Sequence, residues 1–303
     1  MSRYLVTGGA GFIGSHLCDR LLAEGHSVRV LDDLSTGKRK NLASAVELLV
    51  ASVTDRDAVN EAFEGCDGAF HLAAVASVAR CNNDWAGAHA INITGTIHVF
   101  EAAVAQGRKP VVYASSAAVF GGATDLPLTE RSPTVPLSAY GADKLACELH
   151  GRAGHVVHGL SSTGLRFFNV YGPRQDPSSP YSGVISIFAD RLAAGDGITI
   201  FGDGQQTRDF VNVVDVVEAL YRSMTTSAGA ARVFNVCTGR QNSLLDLATA
   251  LGRILEIEPR IAFAEARAGD IKHSLGDPAA LESAVGFRPA IELEDGLRAM
   301  LGR

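Results

Sequence analysis

The sequence predicts an α/β fold, a doubly wound parallel sheet with a smaller C-terminal α/β lobe. Three features carry this reading. Short apolar runs alternate with amphipathic stretches through the first half of the chain, a glycine-rich turn joins the first run to the first stretch, and the rhythm changes after Tyr171. Runs at 3–7, 27–31, 47–51, 69–72, 111–115 and 164–167 have strand length, with helical stretches at 13–24, 56–63, 86–106 and 139–150 between them. Strands that alternate with helices make a parallel sheet covered on both faces. Ligands of such sheets sit at the carboxyl ends of the strands, beside the reversal of strand order, so the pattern points to a nucleotide-type pocket.

After Tyr171 the stretch Gly172-Pro173-Arg174-Gln175-Asp176-Pro177-Ser178-Ser179-Pro180 is turn-rich, and short strands then mix with helices at 184–194, 213–225 and 244–255. The expected division is a nucleotide-binding domain over 1–171 and a lobe over 172–303 that closes on the sheet, with some later segments packing back onto the first domain. A chain of 303 residues, 47% hydrophobic and 20% charged, can bury a large core as a soluble globular protein. Its formal net charge of -6 disfavours a general nucleic-acid or anionic-membrane binder, because such a chain repels polyphosphate at long range. Cys18, Cys66, Cys81, Cys147 and Cys237 are odd in number and form no CxxC pair, so neither a disulfide framework nor a zinc site is expected. With no long apolar run and no charged n-region before an apolar h-region, the expectation is a cytoplasmic protein without a membrane span or signal peptide.

The turn itself reads YLVTGGAGFIG, with Gly8, Gly11 and Gly14 in a GxxGxxG spacing. The physical logic is a tight turn, close approach to a pyrophosphate, then close packing of helix on strand, which is that of a Rossmann-type domain. Phe12 and Ile13 begin the helix, whose first amides face the phosphates. The second strand ends in Asp32-Asp33, eighteen residues after Gly14. A carboxylate there accepts hydrogen bonds from ribose hydroxyls and repels a 2′-phosphate, which selects NAD over NADP. The competing cue, the basic trio Lys38-Arg39-Lys40, is read as a solvated loop.

Two further segments bring chemistry. Val112-Tyr113-Ala114-Ser115-Ser116 sets Ser116 at the carboxyl end of a strand, and Ser138-Ala139-Tyr140-Gly141-Ala142-Asp143-Lys144 puts Tyr140 and Lys144 on one helix face. A phenol with a solution pKa near 10 is a poor base. A neighbouring ammonium, a bound pyridinium and the helix N-terminus each favour phenolate. Such a phenolate can take the proton of a substrate hydroxyl as hydride leaves the same carbon, with Ser116 holding that hydroxyl.

TGGAGFIG, the Asp32 strand end, SSAAVFG and YGADK together resemble the extended short-chain dehydrogenase/reductase family, in its NAD-dependent epimerase/dehydratase branch. The resemblance runs over nearly the whole chain and includes Asn92-Ile93-Thr94-Gly95-Thr96, LRFFNVYG ending at Gly172, Phe201-Gly202-Asp203-Gly204, Arg208-Asp209-Phe210 and Arg267-Ala268-Gly269-Asp270. It implies NAD as cofactor and reversible inversion at C4 of a UDP-hexose, UDP-glucose and UDP-galactose first and their N-acetyl derivatives beside them. Cofactor contacts are implied at Gly8, Gly11, Phe12, Ile13, Gly14, Asp32, Asp33, Ser35, Thr36, Gly37, Ser52, Val53, Leu72, Ala73, Ala74, Ala76, Asn92, Ser115, Tyr140, Lys144 and Phe168, with Asn92 fixing the loop that follows the fourth strand. Substrate contacts are implied at Ser116, Tyr140, Asn169, Val184, Phe201, Arg208, Arg267, Asp270 and Ser274. In these, Phe201 covers the uracil, Val184 lies beside it, Arg208 and Arg267 clamp the diphosphate, and Asp270 holds the uridine ribose.

The same resemblance discriminates among relatives. Sugar dehydratases carry an Asp-Glu pair where this chain has Ala117 and Ala118, and the decarboxylases carry a glutamate at the place of Ala118, so elimination and decarboxylation are disfavoured. Ser52 replaces a usual aspartate near the adenine, and Ala76 a lysine of some epimerases. Ser274 takes a gate position that is a bulky tyrosine in enzymes restricted to UDP-glucose and UDP-galactose, which leaves room for a 2-acetamido group. Alternatives left open are another NAD-dependent nucleotide-sugar oxidoreductase or epimerase, acting on UDP-glucuronate or a dTDP-sugar, and a non-catalytic NAD sensor. By analogy the helices at 86–106 and 139–150 pair across a two-fold axis in a homodimer. No nucleic-acid, membrane or metal partner is expected; His71, His273 and the other histidines lack metal-ligand spacing.

Overall fold

The computed structural model describes residues 1–176, 183–226, 229–266 and 271–303. Its first layer is built from β1 (Arg3–Thr7), α1 (Phe12–Ala23), β2 (Ser27–Leu31), β3 (Glu47–Leu49), α2 (Arg56–Phe63), β4 (Gly68–His71), the short helices α3 (Val78–Asn83) and α4 (Trp85–His89), α5 (Gly95–Ala105), β5 (Val111–Ser116), α6 (Ala139–His158) and β6 (Ser162–Phe167). The second half adds β7 (Asn169–Tyr171), α7 (Val184–Ala193), β8 (Ile198–Phe201), β9 (Thr207–Arg208), β10 (Phe210–Asn212), α8 (Val213–Thr226), β11 (Ala231–Val236), β12 (Asn242–Ser243), α9 (Leu244–Leu255), β13 (Ile261–Ala264), α10 (Ala279–Val285) and α11 (Leu293–Leu301).

Seven strands form the predicted parallel sheet in the order β11-β6-β5-β4-β1-β2-β3. Side chains alternate across a strand, so neighbouring residues serve opposite cores. Leu5 enters a core with Leu31, Phe63, Val99 and Tyr113 under α2, α5 and α6, while Val6 enters one with Leu17, Leu21, Phe70, Val216 and Leu220 under α1 and α8. The central strands β4 and β6 are buried along their whole length, as expected of strands covered on both faces. A third core holds the second lobe, with Ile185, Phe188 and Leu192 of α7 against Leu247 and Leu251 of α9.

Residues beyond 171 return to the first domain, where α8 packs on α1 and β11 pairs with β6 from Ala231↔Ser162 to Val236↔Phe167. Two helices differ from the sequence reading. The helix expected over 86–106 is interrupted by one π-helical turn at Ala90–Thr94. There the Asn92 carbonyl, offset from the helical ladder, accepts from Thr96 Oγ1 at 2.5 Å and Cys147 Sγ at 3.4 Å. The helix expected to end at 150 runs on to His158 and stops at Gly159, whose φ of 70° suits a glycine cap.

Phe63 is fully buried on α2, away from the carboxyl edge of the sheet. Phe63→Ala is expected to lower the free energy of urea unfolding by about 3–5 kcal/mol through the cavity left behind, with the chemistry of the folded protein unchanged.

Candidate active site

Strand order reverses between β1 and β4, and a crevice opens at their carboxyl ends. Gly8 starts the turn at φ +69°, its N–H donating to Leu31 O at 2.9 Å. A β-carbon on Gly8 would stand 2.7 Å from the Ala73 nitrogen, and one on Gly14 would overlap the Gly8 carbonyl oxygen. Gly11 is the N-cap of α1 and carries no side chain to cover its first turn. The helix end therefore presents its amides and its positive pole to an anion in the crevice.

The acidic end of β2 is built as a brace. Asp32 is buried; Oδ2 accepts from Ala10 N–H at 2.9 Å and Oδ1 from Leu34 N–H at 2.8 Å, so it ties the glycine turn to the next loop. Desolvation raises its pKa, and these two hydrogen bonds act against that rise. Each oxygen keeps a lone pair for a ribose hydroxyl. Exposed Asp33 accepts from the amide and hydroxyl of Ser35, and Gly37 lies against the Asp32 carboxylate.

Behind the crevice runs a buried chain of hydrogen bonds. Thr96 Oγ1 donates to Asn92 O, so it accepts from His71 Nε2 at 2.9 Å. His71 Nδ1 is then the acceptor for Thr7 Oγ1 at 2.7 Å, and Thr7 Oγ1 accepts from Ala73 N–H at 3.3 Å. Burial pushes the His71 pKa down to about 3, which keeps the ring neutral and its tautomer fixed. The loop that follows is held by Asn92, whose Oδ1 accepts from Val75 N–H at 2.8 Å. Asn92 is itself buried behind the loop and does not line the crevice.

On the opposite wall α6 starts at Ser138, whose hydroxyl accepts from Gly141 N–H, while Asn82 Oδ1 accepts from Ala139 N–H. Lys144 is buried, donates from Nζ to Ala114 O at 2.9 Å and lies 5.8 Å from the centroid of the Tyr140 ring. Ser116 ends β5 and accepts from Ala118 N–H at 3.1 Å. Ser116, Tyr140 and Lys144 line one cleft of about 890 Å³ with Gly8, Gly11, Phe12, Ile13, Gly14, Asp32, Asp33, Ser35, Thr36, Ser52, Val53, Leu72, Ala73, Ala74, Ala76, Phe168 and Asn169. Ser115 reaches the wall, but its hydroxyl turns inward to Glu148 Oε1 at 2.5 Å.

Of the remaining expected substrate residues, Val184, Phe201, Arg208 and Ser274 belong to the second lobe. Val184 opens α7, Phe201 ends β8 and Arg208 lies in β9, and none is among the residues lining the cleft. Ser274 is buried and donates its N–H to Thr207 O at 3.1 Å. Arg267 and Asp270 lie outside the described residues. Among the described residues no group of three or more His, Cys, Asp or Glu is placed to hold a metal. Lys38, Arg39 and Lys40 are all exposed, and Lys38 also lines the cleft and pairs with Asp176 at 2.7 Å; the following Asn41 is half-buried, lines the cleft and donates from Nδ2 to Ala10 O at 3.0 Å. Arg174, Gln175 and Asp176, legible only as turn-rich sequence, also line it.

The model of the NAD-dependent epimerase/dehydratase family matches residues 4–237. The chain belongs to that family. A UDP-glucose 4-epimerase of Mycolicibacterium smegmatis is 40% identical over 302 residues, which cover 97% of this chain and 96% of the relative. Two solved structures superpose with a TM-score of 0.95 over 99% of this chain and 97% of theirs. They are a UDP-N-acetylglucosamine 4-epimerase of Methanobrevibacter ruminantium in complex with UDP-N-acetylmuramic acid, 35% identical, and a UDP-glucose 4-epimerase of Thermotoga maritima with UDP-glucose, 36% identical. The cofactor of this family member is NAD, and the cleft suits it. Bare glycines leave room for a diphosphate at the α1 amides, and Asp32 and Asp33 line the same cleft as carboxylate acceptors.

Two outcomes follow for this family member. Gly14→Ala forces its methyl onto the Gly8 carbonyl, and NAD affinity measured by titration calorimetry falls by about tenfold to a hundredfold, ~1–3 kcal/mol of misfit. For His71 the folded pKa lies below the unfolded value, so the unfolded chain binds more protons between about 6.5 and about 3. Its contribution to stability is complete above that window and is lost as pH falls through it, by ~1.4 kcal/mol per unit. Urea midpoints measured from pH 7.5 to 4.5 should fall less steeply for His71→Gln than for the parent.

Proposed function

We propose that the protein inverts C4 of UDP-hexoses through a transient 4-keto sugar. The observation that carries this reading is that Tyr140, Lys144 and Ser116 share one cleft with the glycine turn, with the Lys144 ammonium held buried beside the phenol ring. The names of the similar proteins support it. NAD when bound supplies an oxidised nicotinamide that takes a hydride from C4 and returns it.

The chain's own groups do the rest. Tyr140 takes the proton of the 4-hydroxyl and later gives it back, with Lys144 fixed by Ala114 O beside its ring. Ser116 bridges that hydroxyl and the phenol. Asn169, Val184, Phe201, Arg208, Arg267 and Asp270 hold the UDP moiety, so the hexose can turn between hydride transfers while its anchor stays. The turn after Ser116, Ala117–Phe120, carries no acid or base that would draw the keto sugar into elimination.

UDP-glucose and UDP-galactose are the substrates this reading names first. The small Ser274 at the gate adds their 2-acetamido counterparts, and relatives named for UDP-glucose and for UDP-N-acetylglucosamine support both. Leu149, Val156 and Val157 of α6 are exposed apolar residues, which supports a homodimer formed through that helix. No helix of the described residues is long and apolar enough to cross a membrane.

Incubation with UDP-glucose, UDP-N-acetylglucosamine and UDP-glucuronate, followed by NMR of the products, tests the reading. The first two should yield C4 epimers with no net NADH. Tyr140→Phe should retain bound NAD and lose about 10²–10⁴-fold in kcat. Steady NADH production, or a Tyr140→Phe variant as active as the parent, would overturn the assignment.

A further inference from the structure

The buried pair Glu148–Arg166 plays no part in the chemistry above. Both side chains are only 6% exposed, and the guanidinium meets the carboxylate through two contacts, Nε–Oε1 at 2.9 Å and Nη2–Oε2 at 2.7 Å. A buried ion pair is weak evidence for stability, since desolvation opposes the Coulombic gain. Its placement is more informative. Tyr140, Lys144 and Glu148 are spaced by four on α6 and form one stripe. Lys144 bonds the Ala114 carbonyl, and one turn on Glu148 accepts the Ser115 hydroxyl at 2.5 Å. Arg166 is the β6 residue in register with Ser115, so one carboxylate ties two paired residues of adjacent strands to α6.

The far side of Ser116 meets the same pair. Arg166 stacks its guanidinium 4.8 Å from the centroid of Phe120, the last residue of the turn that Ser116 caps. Phe120 in turn lies 6.4 Å from the ring of Phe168 on the cleft wall. Ser116 is thus bracketed, Ser115 before it and Phe120 after it, by groups that converge on Glu148 and Arg166. Consecutive side chains of a strand are set by one backbone rotation, so fixing Ser115 against Glu148 also fixes the direction of Ser116.

We infer that Glu148, through Arg166 and Ser115, is a positioning residue that sets Ser116 opposite Tyr140. The inference rests on the reading that Ser116 and Tyr140 carry the epimerisation. It is tested with the apolar double variant Glu148→Met/Arg166→Met, which leaves no unpaired charge in the core and keeps its urea midpoint near the parent's. The expected result is a kcat lowered about 10²-fold with little change in KM or in bound NAD, because misplacement by about an ångström is enough for such a loss. In a Ser116→Ala background the same double change should cost no further kcat, since the residue it positions has gone. Losses that multiply in that background, or a double variant with parental kcat, overturn the inference. A crystal structure of the double variant gives an arm independent of turnover: Ser116 should be displaced relative to Tyr140, and an unmoved Ser116 overturns the inference. A parent that epimerises no UDP-hexose defeats the functional reading instead, and the displacement arm still decides the positioning.

Discussion

Ala73 nitrogen lies so close to the Gly8 turn that any side chain at position 8 would strike it. This contact joins the carboxyl ends of β1 and β4, the two strands between which the sheet reverses. The cofactor cleft exists because two backbones meet there without side chains between them. Everything nearby serves to hold that meeting in place. Leu31 O and Asp32 fix the turn from β2, and the Thr7–His71–Thr96 chain fixes β4 and its loop from beneath. The polar groups are buried, so each must be satisfied, and a satisfied buried network has one geometry.

The opposite wall uses a different device. Helix α6 meets β5 through Lys144 on a carbonyl and Glu148 on a hydroxyl, one turn apart. Two such points fix both the slide and the rotation of a helix on a strand, which apolar packing alone specifies less sharply. Asn92 and Asp143 connect the two walls. The Asn92 amide holds Val75 of the loop and donates to Asp143, which lies on α6 between Tyr140 and Lys144. The π-helical turn carries Asn92, so the irregularity of the helix is where the two walls are joined.

Fold class was legible because it rests on local pattern. Five central strands are apolar runs and the glycine turn is a continuous motif. Strand β11 escaped because ARVFNV is only partly buried at the sheet edge and follows a change of rhythm that reads as another lobe. The inner half of the site was legible as far as spacing goes, since Tyr140 and Lys144 share a helix face whatever they touch. What each side chain bonds was not. Thr7 and His71 lie 64 residues apart, Lys38 and Asp176 lie 138 apart, and no run of sequence joins them. Glu148 falls on the stripe of Tyr140 and Lys144, but its partners come from two strands, so periodicity alone gives it no task. Val184, Phe201, Arg208 and Ser274 were accessible only through the resemblance, because no physical spacing links them along the chain.

The electrostatics of the cleft follow from the same economy of partners. Lys38 is matched by Asp176 and Arg174 by Asp19, each at 2.7 Å, so the cations flanking the glycine turn are neutralised by acids. A paired surface cation presents little field to a third charge. A diphosphate in this cleft is therefore received by the amides and dipole of α1, whose attraction is fixed in direction and needs no side chain. Ribose hydroxyls held by Asp32 and Asp33 would find Lys38, which lines the same cleft, already engaged. A 2′-phosphate there would meet carboxylates without a free cation from that loop residue, whereas two hydroxyls meet acceptors. Lys38 of the basic trio therefore offers a 2′-phosphate beside these acids no unpaired charge.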